Sequence, residues 1–526
     1  MTVLNELPHD PHKKLTSLWV WLSLIAVFIC GILIQSYSFL AHDVSWLLHA
    51  TERFLAGGNY SSDFYEINPP MVLYIHILPV LMAHFLKISL VNAVRIYVFT
   101  IAALSFLLCA HLLKKIIRPE DKALYFITLF TLVVVYAISP AQNFGQREHI
   151  ATMLIMPYLF NAVIYLQGSR INNSILIGLM AGTGFVIKPH LLVTFFLIEC
   201  YFILRTRQFS LRLRKEIIAI AAVFTGYLAA IFLFNSDYFS LIPQIYFFFS
   251  VFFTSSSAIS ELFYNDRVFF IVETAILYYA LRANSSYPHL TAIFMLSVIG
   301  FFIYYLAEPI AVDYHTIPMF SLALLLTVFL FSELMLPLKI KFKNGAFLLA
   351  TASLIFYLPF CLIYFTNVRF LAIEKNGFIP NQLIRYLKTP VNHKPFYIFS
   401  TNCRLAYPLV DYAGVESVSR YECMWPVFYI TKLMQLHTPE ARAELEKQRI
   451  MFTHAVVEDM KKNMPETVFI NPINNWAVFN GVSFDYLQFF SQSSEFREIW
   501  KHYKYSSNID GIAIYKKNHL SSHAAT

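Results

Sequence analysis

The sequence predicts an α-helical polytopic membrane protein with a small α/β domain at its C-terminal end. Of the 526 residues, 57% are hydrophobic and only 14% are charged, whereas a soluble globular chain carries about 25% charged residues. The chain also contains many windows of about 20 mostly apolar residues, the length that crosses a hydrocarbon core about 30 Å thick. These two observations together favour a protein embedded in lipid.

We predict about eleven spanning helices from the apolar runs. The first run is too long for the core of a signal peptide and lacks a small-residue cleavage site, so we expect no cleaved leader. The predicted spans cover residues 17–40, 91–113, 123–139, 150–167, 174–187, 191–205, 216–234, 268–281, 290–306, 317–334 and 346–365.

The distribution of Lys and Arg predicts that the N-terminus is cytoplasmic. A further apolar run, 70–86, opens with two prolines. If it lies along the membrane surface, then Lys13, Lys114 and the basic residues of 205–215 share one side. The positive-inside rule favours that arrangement. We therefore expect a multi-pass protein of the cytoplasmic (inner) membrane of a bacterium, with its C-terminal domain outside. The net charge of +8 is largely a topology signal, and we expect no nucleic-acid partner.

The composition changes near residue 366. We predict a transmembrane domain over residues 1–365, followed by an extracytoplasmic α/β domain over 366–526. Cys403 and Cys423 both lie in this second region, where an oxidising compartment would allow a disulfide, although nothing in the local sequence fixes their approach. The helix-like and strand-like stretches of the region are 438–450, 484–501, 396–399 and 512–515.

Four groups of polar residues at the ends of predicted spans are candidates for chemistry, because ionisable groups at membrane depth are costly. Each group also has a structural interpretation: an Asp can cap a helix, an Arg–Glu pair can sit in a solvated turn, and a Lys can reach the headgroups. Arg and Lys at these places equally suit phosphate binding. The groups are Asp43, Gln146-Arg147-Glu148-His149, Lys188-Pro189-His190, and Glu308 to His315, which includes Asp313.

Familiar nucleotide and metal motifs are absent from the sequence. It contains no Walker loop, no dinucleotide-binding glycine motif, no His-Glu-x-x-His and no Cys-x-x-Cys, and its scattered histidines do not indicate a metal site. Outside the membrane there is no supply of nucleotide sugars, so an enzyme there needs an activated donor that arrives through the lipid. A polyprenyl-phosphate sugar meets that requirement.

The order of these features resembles the GT-C glycosyltransferases, in particular the branch that contains the aminoarabinose transferases of lipid A and the protein O-mannosyltransferases. Asp43 resembles the acidic residue of the family's first outer loop, and Glu148 resembles that of its second. Glu66-Ile67-Asn68-Pro69-Pro70 is similar to its Glu-Lys-Pro-Pro segment, with Asn68 in the place of the Lys. Lys188-Pro189 resembles the Lys near the end of its fifth span. The resemblance extends to about residue 334.

The resemblance implies a GT-C-like fold and a transferase that moves one sugar from a polyprenyl-phosphate donor in the membrane lipid to an extracytoplasmic glycolipid, polysaccharide or protein. Asp43 would be the general base. No cofactor is expected, although distant relatives that transfer oligosaccharides use a divalent metal. The further catalytic and substrate-binding residues would be Glu148, Glu66, Arg147, His149, Lys188, His190, Asp313 and His315.

Two other functions compete with this interpretation. An O-antigen polymerase or ligase also uses lipid-linked sugars, but such enzymes usually place essential Arg and His residues in large later loops. A transporter or flippase for lipid-linked sugars would be expected to show an internal repeat or matching broken helices, and the sequence shows neither.

Overall fold

The computed structural model describes residues 11–207, 214–246, 266–308, 312–335, 381–435, 438–472 and 484–518. Helix makes up 73% of the structure. Seven helices within these ranges are long and apolar enough to cross a membrane. The helical content and these seven helices confirm the prediction of a helical, multi-pass membrane protein.

The described residues before 336 form helices that follow the predicted apolar runs closely. The predicted span 346–365 lies outside the described residues. Four of the predicted spans form helices of only 14 to 16 residues, which are named α5, α7, α8 and α10 below. The helices are α1 (Pro11–Tyr37), α2 (His42–Leu55), α3 (Met71–Leu86), α4 (Leu90–Ile116), α5 (Lys122–Ala137), α6 (Arg147–Leu166), α7 (Ser174–Ile187), α8 (Leu192–Thr206), α9 (Lys215–Phe234), α10 (Asp266–Leu281), α11 (Pro288–Ala307) and α12 (Ile317–Met335).

Glycine and proline residues mark the end of α2 and the start of α3. Gly57 follows α2 with φ +87°, a left-handed conformation that glycine adopts without strain. Its amide donates to the carbonyl of Phe54 at 3.0 Å, and the amide of Gly58 donates to that of Arg53 at 2.9 Å. α3 starts directly after Pro70, since proline is tolerated at the first turn of a helix. The position of α3 along the membrane surface stays a prediction.

The chain divides into two compact units. The first unit comprises Met1–Ser38, Val98–Tyr227 and Ser257–Arg369. The second comprises Phe39–Tyr97, Leu228–Ser256 and Phe370–Thr526. The second unit thus joins two earlier segments to the region predicted as a separate domain from residue 366 onward.

Small residues allow the helices of the first unit to approach one another closely. A Cβ added to Gly178 of α7 would collide with the backbone of Glu216 in α9. A Cβ on Gly300 of α11 would lie 2.5 Å from the hydroxyl of Thr194 in α8. Association of helices in lipid depends on close packing, because lipid tails are as apolar as the helix surfaces. Larger side chains at these glycines would force the helices apart.

An ionic contact also joins α8 to the start of α9 in the first unit. The guanidinium of Arg214 contacts the carboxylate of Glu199, which also accepts a hydrogen bond of 2.7 Å from the hydroxyl of Tyr158 in α6. The guanidinium carbon of Arg214 lies 4.4 Å from the ring centre of Phe202. Buried partners of this kind satisfy charges that lipid would otherwise leave unsolvated.

The C-terminal part of the second unit contains a four-stranded sheet. Its order is β1-β2-β4-β3, with β1 and β2 parallel and the other pairs antiparallel. The predicted strand-like runs 396–399 and 512–515 fall on β1 and β4. The strands are β1 (Phe396–Phe399), β2 (Thr467–Ile470), β3 (Tyr503–Ile509) and β4 (Ile512–Lys517), and the helices are α13 (Asn381–Lys388), α14 (Leu409–Ala413), α15 (Pro426–Gln435), α16 (Pro439–Asn463), α17 (Tyr486–Phe490) and α18 (Ser494–Trp500).

The composition of each strand matches how deeply its residues are buried. All four residues of both β1 and β2 are buried, and apart from Thr467 their side chains are apolar or aromatic. Most residues of β3 are at least partly exposed, and its sequence is correspondingly polar. Cys403 and Cys423 form a disulfide, with their Cα atoms 4.8 Å apart. That pairing was left open by the sequence.

Candidate functional site

Four ionisable side chains of the first unit form a buried group around Lys188. Its ammonium nitrogen lies 2.8 Å from a carboxylate oxygen of Glu148 and 2.8 Å from one of Glu308. The same nitrogen donates a hydrogen bond of 3.1 Å to Nε2 of His315. The side chain of Glu148 is fully buried, and that of Lys188 is 9% exposed. We call Lys188, Glu148, Glu308 and His315 the Lys188 cluster.

Each member of the Lys188 cluster stands at or next to a helix end. Glu148 is the second residue of α6, and Glu308 directly follows α11. Lys188 directly follows α7 in an extended conformation, as expected for a residue before proline. His315 lies in the short 3-10 turn Asp313–Thr316 that precedes α12. The structure thus brings together three of the four polar groups that the sequence singled out.

The hydrogen bonds of the Lys188 cluster fix the protonation of His315 at one ring nitrogen. An ammonium group has only donors, so Nε2 of His315 accepts and carries no proton. Burial by itself would raise the pKa of the Glu308 carboxyl, but the charge and hydrogen bond of Lys188, together with the neighbouring histidines, outweigh it and lower that pKa to about 2. Removing one charge from such a group leaves its partner buried without compensation.

Arg147 and two tyrosines border the Lys188 cluster. The hydroxyl of Tyr304 donates to Glu148 at 3.1 Å, and the ammonium of Lys188 lies 5.5 Å from the centre of the same ring. The guanidinium of Arg147 lies 5.7 Å from the ring centre of Tyr314, and Arg147 is only 4% exposed. The site therefore contains two cations and two carboxylates, with aromatic faces that favour cations.

Three other predicted residues of the first unit take different places. Both ring nitrogens of the buried His149 are engaged by backbone groups: the amide of Gly145 donates to Nδ1, and Nε2 donates to the carbonyl of Tyr136. His190 is exposed, although its charge acts on Glu308. Asp313 is exposed, and its backbone carbonyl accepts from Arg267 at 2.7 Å. Roles for these three in substrate binding stay predictions.

The second unit holds a different acidic group at the start of α2. Nδ1 of His42 lies 2.7 Å from a carboxylate oxygen of Glu422 and 3.4 Å from one of Asp43. Asp43 is the second residue of the helix and Ala41 occupies the N-cap position, so Asp43 is not the N-cap. We call His42, Asp43 and Glu422 the His42 cluster.

The partly buried His42 cluster shifts the ionisation of its members. Burial would lower the pKa of His42, but the negative charges of Asp43 and Glu422 raise it above its ordinary value. Burial and the charge of Asp43 both raise the pKa of Glu422. The cluster thus contains more carboxylate charge than one imidazole can balance.

Glu66, the remaining predicted site residue, is also buried in the second unit. Its two oxygens accept hydrogen bonds from the indole nitrogen of Trp46 at 2.7 Å and from the backbone amide of Asn68 at 2.8 Å. The side-chain amide of Asn68 also donates to it. Asn68 therefore helps to fix the position of the Glu66 carboxylate.

A group of hydrogen bonds around His49, which the sequence did not indicate, connects α2 with α14. Nε2 of His49 lies 3.0 Å from a carboxylate oxygen of Asp411, and Nδ1 lies 3.1 Å from one of Glu52. Ser45 donates to the other oxygen of Asp411. Burial would lower the pKa of His49, but the hydrogen bonds to Asp411 and Glu52 raise it to about 9.

Several functional candidates were missed because their partners are remote in sequence. His42 and Glu422 are separated by 380 positions, and His49 and Asp411 by 362. Neither Glu422 nor Asp411 stands in a recognisable motif. Glu308 stood within the fourth polar group, and its place directly after a span was the one local signal that could have identified it.

The fold and these two clusters describe a helical multi-pass membrane protein with a buried ionisable cluster in its first unit and a partly buried one in its second. No protein-family model matches the chain, and no curated protein matches it. Asp43 and Lys188 belong to different units, so their membership of one shared cavity stays a prediction.

Proposed function

We propose that this protein is a glycosyltransferase of the GT-C type, which moves a sugar from a polyprenyl-phosphate donor to an extracytoplasmic acceptor. The observation that carries the proposal is the Lys188 cluster with Arg147 beside it. Ionisable side chains buried at the ends of apolar helices are costly, and such residues commonly mark sites of function. Two cations next to aromatic faces are suited to a lipid phosphate.

The charge balance of the cluster indicates how a phosphate would enter. Glu148 and Glu308 already compensate Lys188, so a bound phosphate has to take the place of one carboxylate. Glu308 is the more accessible of the two, with 14% exposure against 0% for Glu148. A donor phosphate would therefore displace Glu308 from Lys188, while Glu148 continues to orient the ammonium.

The reaction would form a bond between the acceptor oxygen and the anomeric carbon, and would break the bond from that carbon to the phosphate oxygen. The phosphate leaves with the electron pair, and Arg147 and Lys188 stabilise its negative charge, since fixed charges in a dry site are effective. The acceptor proton goes to Asp43 as general base. The transition state would resemble an oxocarbenium ion, as in glycoside hydrolysis.

The test is the variant Asp43→Asn in purified protein in nanodiscs. The donor is the pool of polyprenyl-phosphate sugars extracted from host membranes, the acceptor is an extract of the host envelope, and the product is free polyprenyl phosphate measured by mass spectrometry. Loss of a general base should lower turnover about 10²–10⁴-fold while donor binding persists, because Asn keeps the shape of the side chain.

The matched control is Glu495→Gln, which removes an exposed carboxylate of α18 in the same unit. It should leave turnover unchanged. Release of polyprenyl phosphate by the Asp43→Asn protein at the wild-type rate would remove the base from the mechanism. A wild-type protein that releases none would contradict the transferase itself.

A further inference from the structure

Glu216, the second residue of α9, carries a buried carboxyl group with little compensation. Its side chain is 0% exposed. Neither carboxyl oxygen accepts a hydrogen bond from the residues that the structure describes. An ionised carboxylate without such bonds is costly away from water, and a group in this situation commonly becomes neutral instead. The charged neighbours of Glu216 therefore decide its state.

Arg214, which directly precedes α9, is paired chiefly with another carboxylate. Its Nη2 contacts Glu199 of α8, which also accepts a hydrogen bond of 2.7 Å from the hydroxyl of Tyr158. Nε of Arg214 lies 3.4 Å from Glu216, beyond the about 2.7–2.9 Å of a charge-assisted hydrogen bond. Its Nη1 has no acceptor in the described part of the chain. Arg214 is therefore the ion-pair partner of Glu199 rather than of Glu216.

We call Glu199, Arg214 and Glu216 the Arg214 cluster. The charges of all three residues act on Tyr158, so they share one environment. If both carboxyl groups were ionised, the cluster would carry a net charge of −1. When two carboxyl groups share a site, one of them tends to keep a proton. Glu199 has the guanidinium and the tyrosine hydroxyl as donors, so the proton belongs on Glu216.

The first turn of α9 acts in the opposite direction. Its amides carry a partial positive charge that favours a carboxylate. This effect is limited here, because no amide among the described residues donates a hydrogen bond to the Glu216 side chain. A protonated carboxyl group needs an acceptor, and the hydroxyl of Tyr165 in α6 lies beside Glu216 and can accept as well as donate.

The Arg214 cluster lies at the other end of the helices from the Lys188 cluster. In α6, Glu148 belongs to the Lys188 cluster, whereas Tyr165 lies next to the Arg214 cluster. At about 1.5 Å per residue, these two positions are about 25 Å apart along the helix. The two groups of charges are therefore distinct sites within the first unit.

We propose that Glu216 binds a proton, which exchanges with water at Glu199, the most exposed member of the Arg214 cluster with 15% exposure. On release, the O–H bond of the carboxyl group breaks and the proton passes to water. The two carboxylates then share one guanidinium, and their repulsion acts between α8 and α9. The backbone of Glu216 packs tightly on Gly178 of α7, so α9 has little room to relieve this repulsion by moving closer to α7.

The experiment is an infrared difference spectrum of the purified protein in detergent at neutral pH, taken as wild type minus Glu216→Gln. The spectrum should contain the carbonyl band of a protonated carboxylic acid, and this band should shift to lower frequency in D₂O. The matched control is Glu495→Gln, which removes a carboxylate that is 57% exposed. Its difference spectrum should contain the two stretching bands of an ionised carboxylate and no acid band.

Thermal unfolding of two variants provides a second measurement. Gln has the shape of a neutral Glu, so Glu216→Gln should fold and unfold at about the wild-type temperature. Glu199→Gln should unfold at a lower temperature, because it leaves Arg214 without its ionised partner. A Glu216→Gln difference spectrum without the acid band, or a Glu216→Gln protein that fails to fold or is destabilised as much as Glu199→Gln, would overturn the proposal. No sugar donor is present, so these outcomes are independent of the transferase proposal.

Discussion

Lys188 compensates buried charge in the fold, and we propose that it also binds the donor phosphate. Its ammonium compensates two carboxylates whose burial would otherwise be unfavourable. Breaking a buried ion pair from one side typically costs about 3–5 kcal/mol, whereas removing both partners is often neutral. This asymmetry makes it possible to separate the contribution of Lys188 to folding from its proposed contribution to donor binding.

We expect Lys188→Met to lower the thermal unfolding temperature, because it removes the ammonium group that compensates both Glu148 and Glu308. The double variant Lys188→Met with Glu308→Gln restores the charge balance, so much of the lost stability should return. Thermal unfolding of the purified protein in detergent, followed by size exclusion, measures the difference.

The same two variants should bind polyprenyl phosphate weakly, since both lack the ammonium group that would contact the phosphate. Binding can be measured with undecaprenyl phosphate in nanodiscs. A double variant that regained both stability and full affinity for the lipid would show that Lys188 serves only the fold.

Helices α2 and α14 are joined by the pair of His49 and Asp411, and this contact should depend on pH. The pKa of His49 is raised from 6.5 to about 9, so its protonated form is stabilised in the folded state. The contribution is fully present below about pH 6.5 and is lost as the pH rises through about 9. The shift corresponds to about 3.5 kcal/mol at most, because one pKa unit is about 1.4 kcal/mol.

The unfolding temperature of the wild-type protein should therefore fall between pH 7 and pH 10 more than that of His49→Gln, and the two proteins should converge at high pH. His454→Gln is the matched control, since that histidine is 65% exposed. Parallel curves for the wild type and His49→Gln across this range would mean that His49 is not protonated in the folded protein.

The path of the whole chain through the membrane is predicted by its basic residues. If α3 lies along the surface, a reporter fused after Lys115 is cytoplasmic and one fused after Lys517 is outside. If α3 crosses, the chain has passed the membrane once more before Lys115, and that reporter lies outside. Paired fusions of alkaline phosphatase and green fluorescent protein at both sites distinguish these arrangements. An extracytoplasmic reporter after Lys115 would contradict the predicted topology.

The sequence by itself determined the class of the protein and many helix bounds. Apolar runs of span length predict helices directly, because the bilayer imposes one length and one hydrogen-bonding solution on each crossing. The predicted span 174–187 coincides with α7, and the proline after Lys188 marks its end. Glu148 and Lys188 were found for the same reason, since a charge beside an apolar run is conspicuous.

Only the tertiary structure decided which side chains meet. Glu308 joins Lys188, and Glu422 joins His42 and Asp43, from positions more than a hundred residues away. Contacts of this kind depend on how helix ends and loops pack, and a single carboxylate in a polar segment carries no local signal of its partner. The sequence therefore identified charged residues that are costly to bury, whereas packing determined the ion pairs and hydrogen bonds that compensate them.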